Sequence, residues 1–296
     1  MGNRRHKIVK SFSSAADLRT AVQAKSIYSN KISRGVLAVV AGSSEYHGAP
    51  SLATLAALRV GAGYVTAFVP KAVEYIVRMQ SPAVVVSALG NKNIVFNERI
   101  RKAIERSDAV AIGPGIVAKG SAKAETAKIL DFCFSACKKT VIDAGALRSI
   151  RETKMKPNLN AVLTPHDSEF EFVSGIRISG KGLDERIEAA VKLALRLNAV
   201  ILLKGHETVI TDGSKVKINR SRFMALSTMG SGDVLTGIIA GFAATGASAF
   251  QAAVAGAYLH SAIGDMLSRR MGNHIISTDI VESIPQVLKR FDKVLK

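Results

Sequence analysis

Short apolar runs rich in β-branched residues recur along the chain and constrain its fold more than any other feature. Strands that are apolar at every residue are typical of a parallel sheet buried on both faces. The runs lie at 36–40, 64–69, 109–112, 140–142, 161–163 and 200–203, and helical patterns lie between them at 49–60, 97–107, 121–136 and 184–197. This alternation predicts an α/β fold, a three-layer α/β/α sandwich with a mostly parallel central sheet.

The pattern changes in the last third of the chain. Runs at 208–211 and 215–218 flank the turn Asp212-Gly213-Ser214 and predict an antiparallel hairpin at a sheet edge. From Gly232 onward we expect only helices, including 249–270 and a final one at about 279–294. No linker or repeat interrupts the chain, so one domain over 1–296 is expected, with 1–30 as an N-terminal extension or docking helix.

The net charge of +18 is the strongest signal against an ordinary metabolic enzyme. Such a field attracts nucleic acid, but it also attracts small substrates that carry several phosphates. The basic clusters, among them Arg4-Arg5-His6-Lys7 and Arg269-Arg270, are short and lack interleaved aromatic residues. A solvated basic surface is the simpler interpretation, and a basic nucleic-acid-binding protein is kept as an alternative.

The sequence also bears on the compartment. No apolar stretch reaches the roughly 18 residues that span a bilayer, and no apolar segment of a signal peptide follows the basic N-terminus. Cys133 and Cys137 share one side of a predicted helix, so both are expected to be small core residues in a reducing compartment. We expect a cytoplasmic protein with no membrane partner. The Ala- and Gly-rich face of 249–264 fits packing within a chain or between subunits, and a homo-oligomer is expected.

Ligands of an open parallel sheet bind beyond the carboxyl ends of its strands, and the residues that follow the predicted strands are of the right types. These segments are Gly42-Ser43-Ser44, Gly113-Pro114-Gly115, Asp143-Ala144-Gly145, Thr164-Pro165-His166 and Lys204-Gly205-His206. No P-loop, Rossmann fingerprint or G-x-S-x-G motif accompanies them, which disfavours P-loop enzymes, dehydrogenases and serine hydrolases.

The segment 228–241 is the most informative part of the sequence about the reaction. It runs from Thr228 through Gly230-Ser231-Gly232-Asp233 into a helix of small residues. A glycine-flanked turn that opens a helix directs backbone N–H groups and the positive end of the helix dipole at one point, which suits an anion. Asp233 would then be a base that deprotonates a hydroxyl beside a bound phosphate. The alternative is that Asp233 caps a buried helix.

Taken in order, these segments resemble the carbohydrate-kinase-like domain of the NAD(P)H-hydrate dehydratases, in the ribokinase-like superfamily. The resemblance covers the chain from about Lys31 to its C-terminus. Its motifs are Gly42-Ser43-Ser44 with Tyr46 and Gly48-Ala49-Pro50, 56–63, Gly113-Pro114-Gly115, Leu163-Thr164-Pro165-His166 with Glu169, Lys204-Gly205 with Thr208, 230–237, and Tyr258-Leu259-His260.

The resemblance implies an enzyme that dehydrates hydrated NADH or NADPH at the expense of ADP or ATP with Mg²⁺. Hydroxide leaves poorly, so the ring hydroxyl is first phosphorylated and phosphate is then eliminated. Asp233 would be the catalytic base, and Gly230, Ser231 and Gly232 the anion hole. The residues implied for nucleotide binding are Lys204, Gly205, His206, Glu207, Thr208 and Gly232. Those implied for the hydrate are Ala49, Gly115, His166 and Asp233. Mg²⁺ would be held mainly by the nucleotide phosphates, with Glu169 as a candidate ligand.

Some positions depart from the family pattern. Asp167-Ser168, Gly145 and Met229 replace the usual residues, and Arg220 and Arg222 lie in a loop that is normally rich in Gly and Pro. The two arginines could clamp phosphates or mark a changed substrate. The alternative within the superfamily is a small-molecule kinase of the hydroxyethylthiazole or hydroxymethylpyrimidine type, whose G-x-G-D turn would look nearly the same.

Overall fold

The computed structural model describes residues 9–221 and 226–295. The strands are β1 (Val9–Phe12), β2 (Lys25–Ser26), β3 (Val36–Val40), β4 (Tyr64–Val69), β5 (Val85–Ala88), β6 (Ala109–Ile112), β7 (Lys139–Ile142), β8 (Ala161–Leu163), β9 (Val200–Leu203), β10 (Glu207–Thr211), β11 (Lys215–Arg220) and β12 (Val294–Leu295). The helices are α1 (Ala15–Ala21), α2 (Ala49–Val60), α3 (Lys71–Gln80), α4 (Glu98–Arg106), α5 (Gly120–Ser135), α6 (Ala144–Ser149), α7 (Asp167–Ser174), α8 (Leu183–Leu197), α9 (Ser231–Ala244), α10 (Ala249–Met271) and α11 (Ser277–Leu288).

Within the described ranges, ten strands form one sheet in the order β1-β11-β10-β9-β8-β7-β6-β3-β4-β5. Only β10 runs antiparallel to its neighbours there, and the other pairs are parallel. Successive residues of β3 alternate between two cores: Leu37 and Val39 face α2 and α9 to α11, whereas Ala38 and Val40 face α4 to α8. The mostly parallel three-layer fold predicted from the apolar runs is therefore confirmed.

Three details of the prediction are wrong. The β10–β11 hairpin is present, but β1 pairs with β11 and forms the sheet edge in its place. The last helix ends at Leu288, and a 3₁₀ turn and the short strand β12 follow it, because β12 pairs with β2. Cys133 is buried, but Cys137 lies beyond the end of α5 at φ 51° and is exposed.

The N-terminal segment contains one short helix, α1. Its Leu18 and Ala21 are fully buried in the core that includes α10. The small-residue face of α10 is also buried within the chain, where Gly256 lies against Ile239 of α9. Among residues 9–221 and 226–295, no helix is both long and apolar enough to cross a bilayer.

Close packing between α2 and α9 fixes the start of α9 relative to the sheet. A Cβ atom at Gly237 would overlap the carbonyl oxygen of Ala53, and one at Gly241 would lie 3.0 Å from Cβ of Val60. Bare backbone at these two positions lets the helices approach closely, so the glycines of α9 serve packing rather than flexibility.

We expect Gly237→Ala to destabilise the protein by about 1–3 kcal/mol, because the added methyl group must push apart two packed helices. Gly48→Ala is the matched control, since nothing lies within 4 Å of a Cβ atom at Gly48. Urea unfolding of both variants measures the difference in free energy of unfolding. Equal stability of the two variants would contradict this account of the α2–α9 contact.

Candidate active site

The site lies where three neighbouring strands end. Strands β7, β8 and β9 are adjacent and parallel, and the next residues along them include Asp143, Thr164 and Lys204. Backbone hydrogen bonds continue past the strands, with the Asp143 N–H donating to Ile112 O at 3.0 Å and the Lys204 N–H donating to Pro165 O at 2.8 Å. The sheet therefore holds these residues on one rigid rim.

Asp143 is the centre of the polar contacts on this rim. Asp143 is only 2% exposed. Its Oδ1 accepts a hydrogen bond from Lys204 Nζ at 2.8 Å, and its Oδ2 accepts one from Thr236 Oγ1 of α9 at 2.8 Å. Burial raises the pKa of Asp143, but the Lys204 charge and hydrogen bonds from Lys204, Thr236 and Thr164 outweigh it and leave the pKa below its ordinary value. A buried carboxylate thus ties the end of β9 to the first turns of α9.

The start of α9 has the local structure that an anion site requires. Gly230 has φ 83°, and a Cβ atom there would lie 2.5 Å from Leu52 Cδ1, so the position requires glycine. The Ser231 N–H donates to Thr228 O at 3.2 Å, which leaves the N–H groups of Gly232 and Asp233 as those at the open end of the helix. A Cβ atom at Gly232 would lie 3.8 Å from Lys204 Nζ, so an ammonium group flanks the helix end.

Asp233 is half-buried at this helix end and has an unusual acidity. Burial and the negative charge of Asp143 raise the pKa of Asp233 to about 7, although Lys204 acts in the opposite direction. Burial lowers the pKa of Lys204, but the negative charges of Asp143, Glu169 and Asp233 outweigh burial. The pKa of Lys204 therefore lies above its ordinary value, and the lysine stays charged. A carboxylate with a pKa near neutrality beside a fixed cation is suited to accept a proton next to a bound anion.

A cavity of about 840 Å³ opens beside the rim. Of the residues predicted for the nucleotide, Lys204, Gly205, His206, Thr208 and Gly232 line it. Glu207 instead accepts a hydrogen bond from Arg220 Nε at 2.6 Å. Hence the cavity brings together most, though not all, of the predicted nucleotide group.

The residues predicted for the hydrate separate into two places. A Cβ atom at Gly115 would lie 2.8 Å from Cβ of Ala49, so these two residues are in contact beside the first turn of α2. Leu52 of that helix approaches Gly230, so α2 borders the start of α9 on this side. His166 lies elsewhere, in the lining of the cavity with Lys204. The roles of all these residues stay predictions.

A family model described as NAD(P)H-hydrate dehydratase matches residues 37–286 of the sequence. This chain belongs to that family. A bifunctional NAD(P)H-hydrate repair enzyme of Archaeoglobus fulgidus is 38% identical over 255 residues, which cover 85% of this chain and 50% of that protein. The chain thus spans about half the length of the curated relatives of this kind that it matches.

Other relatives of the dehydratase family match along most of their length. An ADP-dependent (S)-NAD(P)H-hydrate dehydratase of Nitrosopumilus maritimus is 31% identical over 274 residues, covering 90% of this chain and 93% of that one. The ADP/ATP-dependent NAD(P)H-hydrate dehydratase of Bacillus subtilis, co-crystallised with ATP/Mg²⁺, superposes with a TM-score of 0.81 at 26% identity. That superposition covers 97% of this chain and 99% of the other.

Two cavity residues that motif reasoning left without a role are His260 and Asn219. His260 Nε2 lies 3.1 Å from Ser231 Oγ, and burial lowers the pKa of His260 to about 4, so its ring is neutral. The Asn219 Nδ2 group donates to Ser261 Oγ at 2.7 Å. The Tyr258-Leu259-His260 resemblance was the available signal for the first, and none was available for the second.

The departures from the family pattern have partial physical explanations. A Cβ atom at Gly145 in α6 would overlap the carbonyl oxygen of Ile116, so the close approach of Ile116 to this helix requires glycine. Arg220 pairs with Glu207, and its guanidinium carbon lies 4.5 Å from the ring centroid of Phe12, which gives it a structural role. Met229 is 85% exposed at the rim. Arg222 lies outside the described residues.

The carboxylates of Asp143 and Glu169 accept hydrogen bonds from protein groups. In the described part of the chain, no group of three or more His, Cys, Asp or Glu residues could hold a metal ion. Both Asp143 oxygens accept hydrogen bonds, and Glu169 Oε2 accepts the His166 N–H at 3.0 Å, as a helix cap does. Glu169 as a ligand stays a prediction.

Proposed function

We propose that this chain dehydrates hydrated NADH or NADPH, with ADP or ATP as the phosphoryl donor. The observation that carries the proposal is the placement of Asp233, with a pKa of about 7, at an anion-binding helix end flanked by the Asp143–Lys204 pair. Membership of the dehydratase family and the match over 93% of an ADP-dependent (S)-NAD(P)H-hydrate dehydratase support the choice of substrate.

The proposed reaction gives each of these groups a role. Asp233 accepts the proton of the ring hydroxyl while the hydroxyl oxygen attacks the terminal phosphorus of the nucleotide, which leaves as AMP or ADP. The N–H groups of Gly232 and Asp233 and the Lys204 ammonium stabilise the charge on the transferring group. The neighbouring ring nitrogen then expels phosphate with its lone pair, and loss of a proton from the adjacent ring carbon restores the reduced nicotinamide. Bound Mg²⁺ would neutralise phosphate charge.

Three further properties belong to the same proposal. We infer a cytoplasmic location, because NAD(P)H and ADP or ATP are cytoplasmic metabolites. The two free cysteines also fit a reducing compartment. A requirement for Mg²⁺ is inferred from the phosphoryl chemistry. The homo-oligomer stays a prediction without a supporting surface, because the small-residue face of α10 packs inside the chain.

The acidity of Asp233 predicts the pH dependence of turnover. The base must be deprotonated, so kcat/KM should rise with pH through a midpoint near the pKa of about 7 and then level off. Asp143→Asn should move this midpoint to lower pH, because it removes the negative charge that raises the pKa of Asp233. Initial rates across about pH 5–9 measure both profiles. A flat wild-type profile, or an unmoved midpoint in the variant, would contradict the assignment.

The function itself is tested by supplying the purified protein with hydrated NADH or hydrated NADPH and either ADP or ATP. We expect recovery of the absorbance of reduced nicotinamide together with equimolar free phosphate. A stable phosphorylated product without recovered absorbance would instead identify a small-molecule kinase. Absence of turnover with every pair of substrates would overturn the proposal.

A further inference from the structure

We propose that a cleft between α1, α10 and α11 binds a nucleoside polyphosphate at a second site, distinct from the candidate active site. The cleft has a volume of about 730 Å³ and shares no lining residue with the 840 Å³ cavity beside Lys204. We call it the arginine cleft, after the four arginines that line it: Arg19, Arg269, Arg270 and Arg290. The inference does not depend on the proposed function.

The arginines come together from distant parts of the sequence. Arg19 lies in the last turn of α1, Arg269 and Arg270 lie in the last turn of α10, and Arg290 lies in the 3₁₀ turn after α11. The sequence showed only the short Arg269-Arg270 cluster. Folding therefore turns what looked like a scattered surface charge into a local concentration of guanidinium groups around one concave surface.

The positive charge of the arginine cleft is only partly compensated. None of the four arginines forms an ion pair within the residues that the structure describes, and Asp265, which has an interaction partner, is the one acidic residue of the described lining. The C-terminal ends of α1 and α10 contribute about half a negative charge each, so about two positive charges remain. A ligand with two or more negative charges would neutralise them, and arginine binds phosphate oxygens in pairs.

The rest of the lining selects the kind of anion. The half-buried Tyr258 lines the cleft, and the guanidinium carbon of Arg19 lies 5.8 Å from the ring centroid of Phe291, which is 8% exposed. Aromatic rings and arginine planes are the surfaces on which nucleobases stack. The volume lies in the range of pockets for small ligands rather than of an extended groove, which favours a free nucleotide over a nucleic-acid strand.

Helix α10 separates the two sites, which allows their occupancy to be measured independently. Its residues Ala257, His260 and Ser261 line the active-site cavity, whereas Tyr258, Ala262 and Arg269 line the arginine cleft. Hydrogen exchange monitored by mass spectrometry resolves 15–21 and 262–272 around the cleft from 228–236 at the active site. The probes are ATP, inorganic tripolyphosphate and a single-stranded 12-mer RNA.

We expect ATP to protect 15–21 and 262–272, with tripolyphosphate protecting them more weakly because it lacks a base. In Arg269→Glu/Arg270→Glu this protection should need at least about tenfold more ATP, while protection of 228–236 stays as in wild type. Arg99→Glu/Arg106→Glu on α4 is the matched control, since it changes the net charge equally and should keep wild-type protection at the cleft.

Three results would overturn the inference. The first is no protection of 15–21 and 262–272 at about 10 mM ATP, which corresponds to negligible affinity. The second is an equal loss in the α4 control, which would show only a response to net charge. The third is protection by the RNA and not by ATP. If circular dichroism shows that the α10 variant is unfolded, Arg19→Gln/Arg290→Gln is used with the same criteria.

Discussion

Asp233→Asn should reduce kcat by about 10²–10⁴-fold while the fold and nucleotide affinity stay close to those of the wild type. The amide keeps the shape of the carboxylate but cannot accept the hydroxyl proton. Steady-state rates with hydrated NADH measure the loss, and equilibrium binding of ADP or ATP measures the affinity. Turnover within a few fold of wild type would show that another group is the base.

The same variant should gain stability above neutral pH. Because the folded-state pKa of Asp233 is raised to about 7 from its ordinary value of 3.8, the folded protein favours the protonated form, and stability falls as pH rises through this interval. The neutral amide avoids this cost, so the melting temperature of Asp233→Asn should exceed that of wild type at pH 8 and match it at pH 4, below most of the interval. Such a result is typical of an active site in which a catalytic group lowers the stability of the fold.

Asp279→Asn is the matched control for Asp233→Asn. Asp279 occupies the same third position of its helix, α11, but its Oδ2 accepts the Ile276 N–H at 2.9 Å and serves as a cap. We expect unchanged turnover and a loss of about 0.5–1 kcal/mol in stability. Opposite signs of the stability change in the two variants would separate a functional carboxylate from a capping one. A stability gain in both would contradict the distinction.

Asp143→Ala should destabilise the protein by about 3–5 kcal/mol and abolish turnover. Removal of the carboxylate leaves the Lys204 ammonium, which is 23% exposed, without its 2.8 Å partner and leaves the buried Thr236 hydroxyl without its acceptor. Urea unfolding measures the free energy, and the same assay measures turnover.

Two companion variants separate the contributions. Asp143→Ala/Lys204→Met should recover most of the lost stability, because no unpaired charge is left. It should recover none of the activity, because the Lys204 ammonium that stabilises the transferring phosphoryl group is also absent. Thr236→Val should cost only about 1.5–3 kcal/mol, the value of one hydrogen bond to a charged group. If the double variant is no more stable than Asp143→Ala, the ion pair is not what holds the rim together.

The six strands that the sequence predicted for the parallel part of the sheet are apolar at nearly every residue. Strand β3 is apolar throughout and was predicted with its observed bounds, whereas β1 consists of Val-Lys-Ser-Phe and is exposed at all four positions. An edge strand of this kind is defined by its partner β11, not by its own residues. The two-residue strands β2 and β12 are likewise defined only by each other.

The candidate site could be predicted as loops but not as a network. Strand-end motifs indicated the rim, and the glycine turn indicated the anion site. The contact of Asp143 with Lys204 and Thr236 joins positions separated by 61 and 93 residues, and only the order of β7, β8 and β9 brings them together. The raised pKa of Asp233 is a consequence of that contact and of burial, so no motif could have shown it.

The fate of the ring hydroxyl oxygen tests the central claim most directly. Hydrated NADH prepared in H₂¹⁸O carries the label in its hydroxyl group, and mass spectrometry of the released phosphate then follows the oxygen. Phosphorylation of the hydroxyl at Asp233, followed by elimination, predicts that each phosphate contains one ¹⁸O atom, because the carbon–oxygen bond is the one that breaks. Unlabelled phosphate alongside recovered reduced nicotinamide would contradict the claim, since the hydroxyl would then have left as water without being phosphorylated.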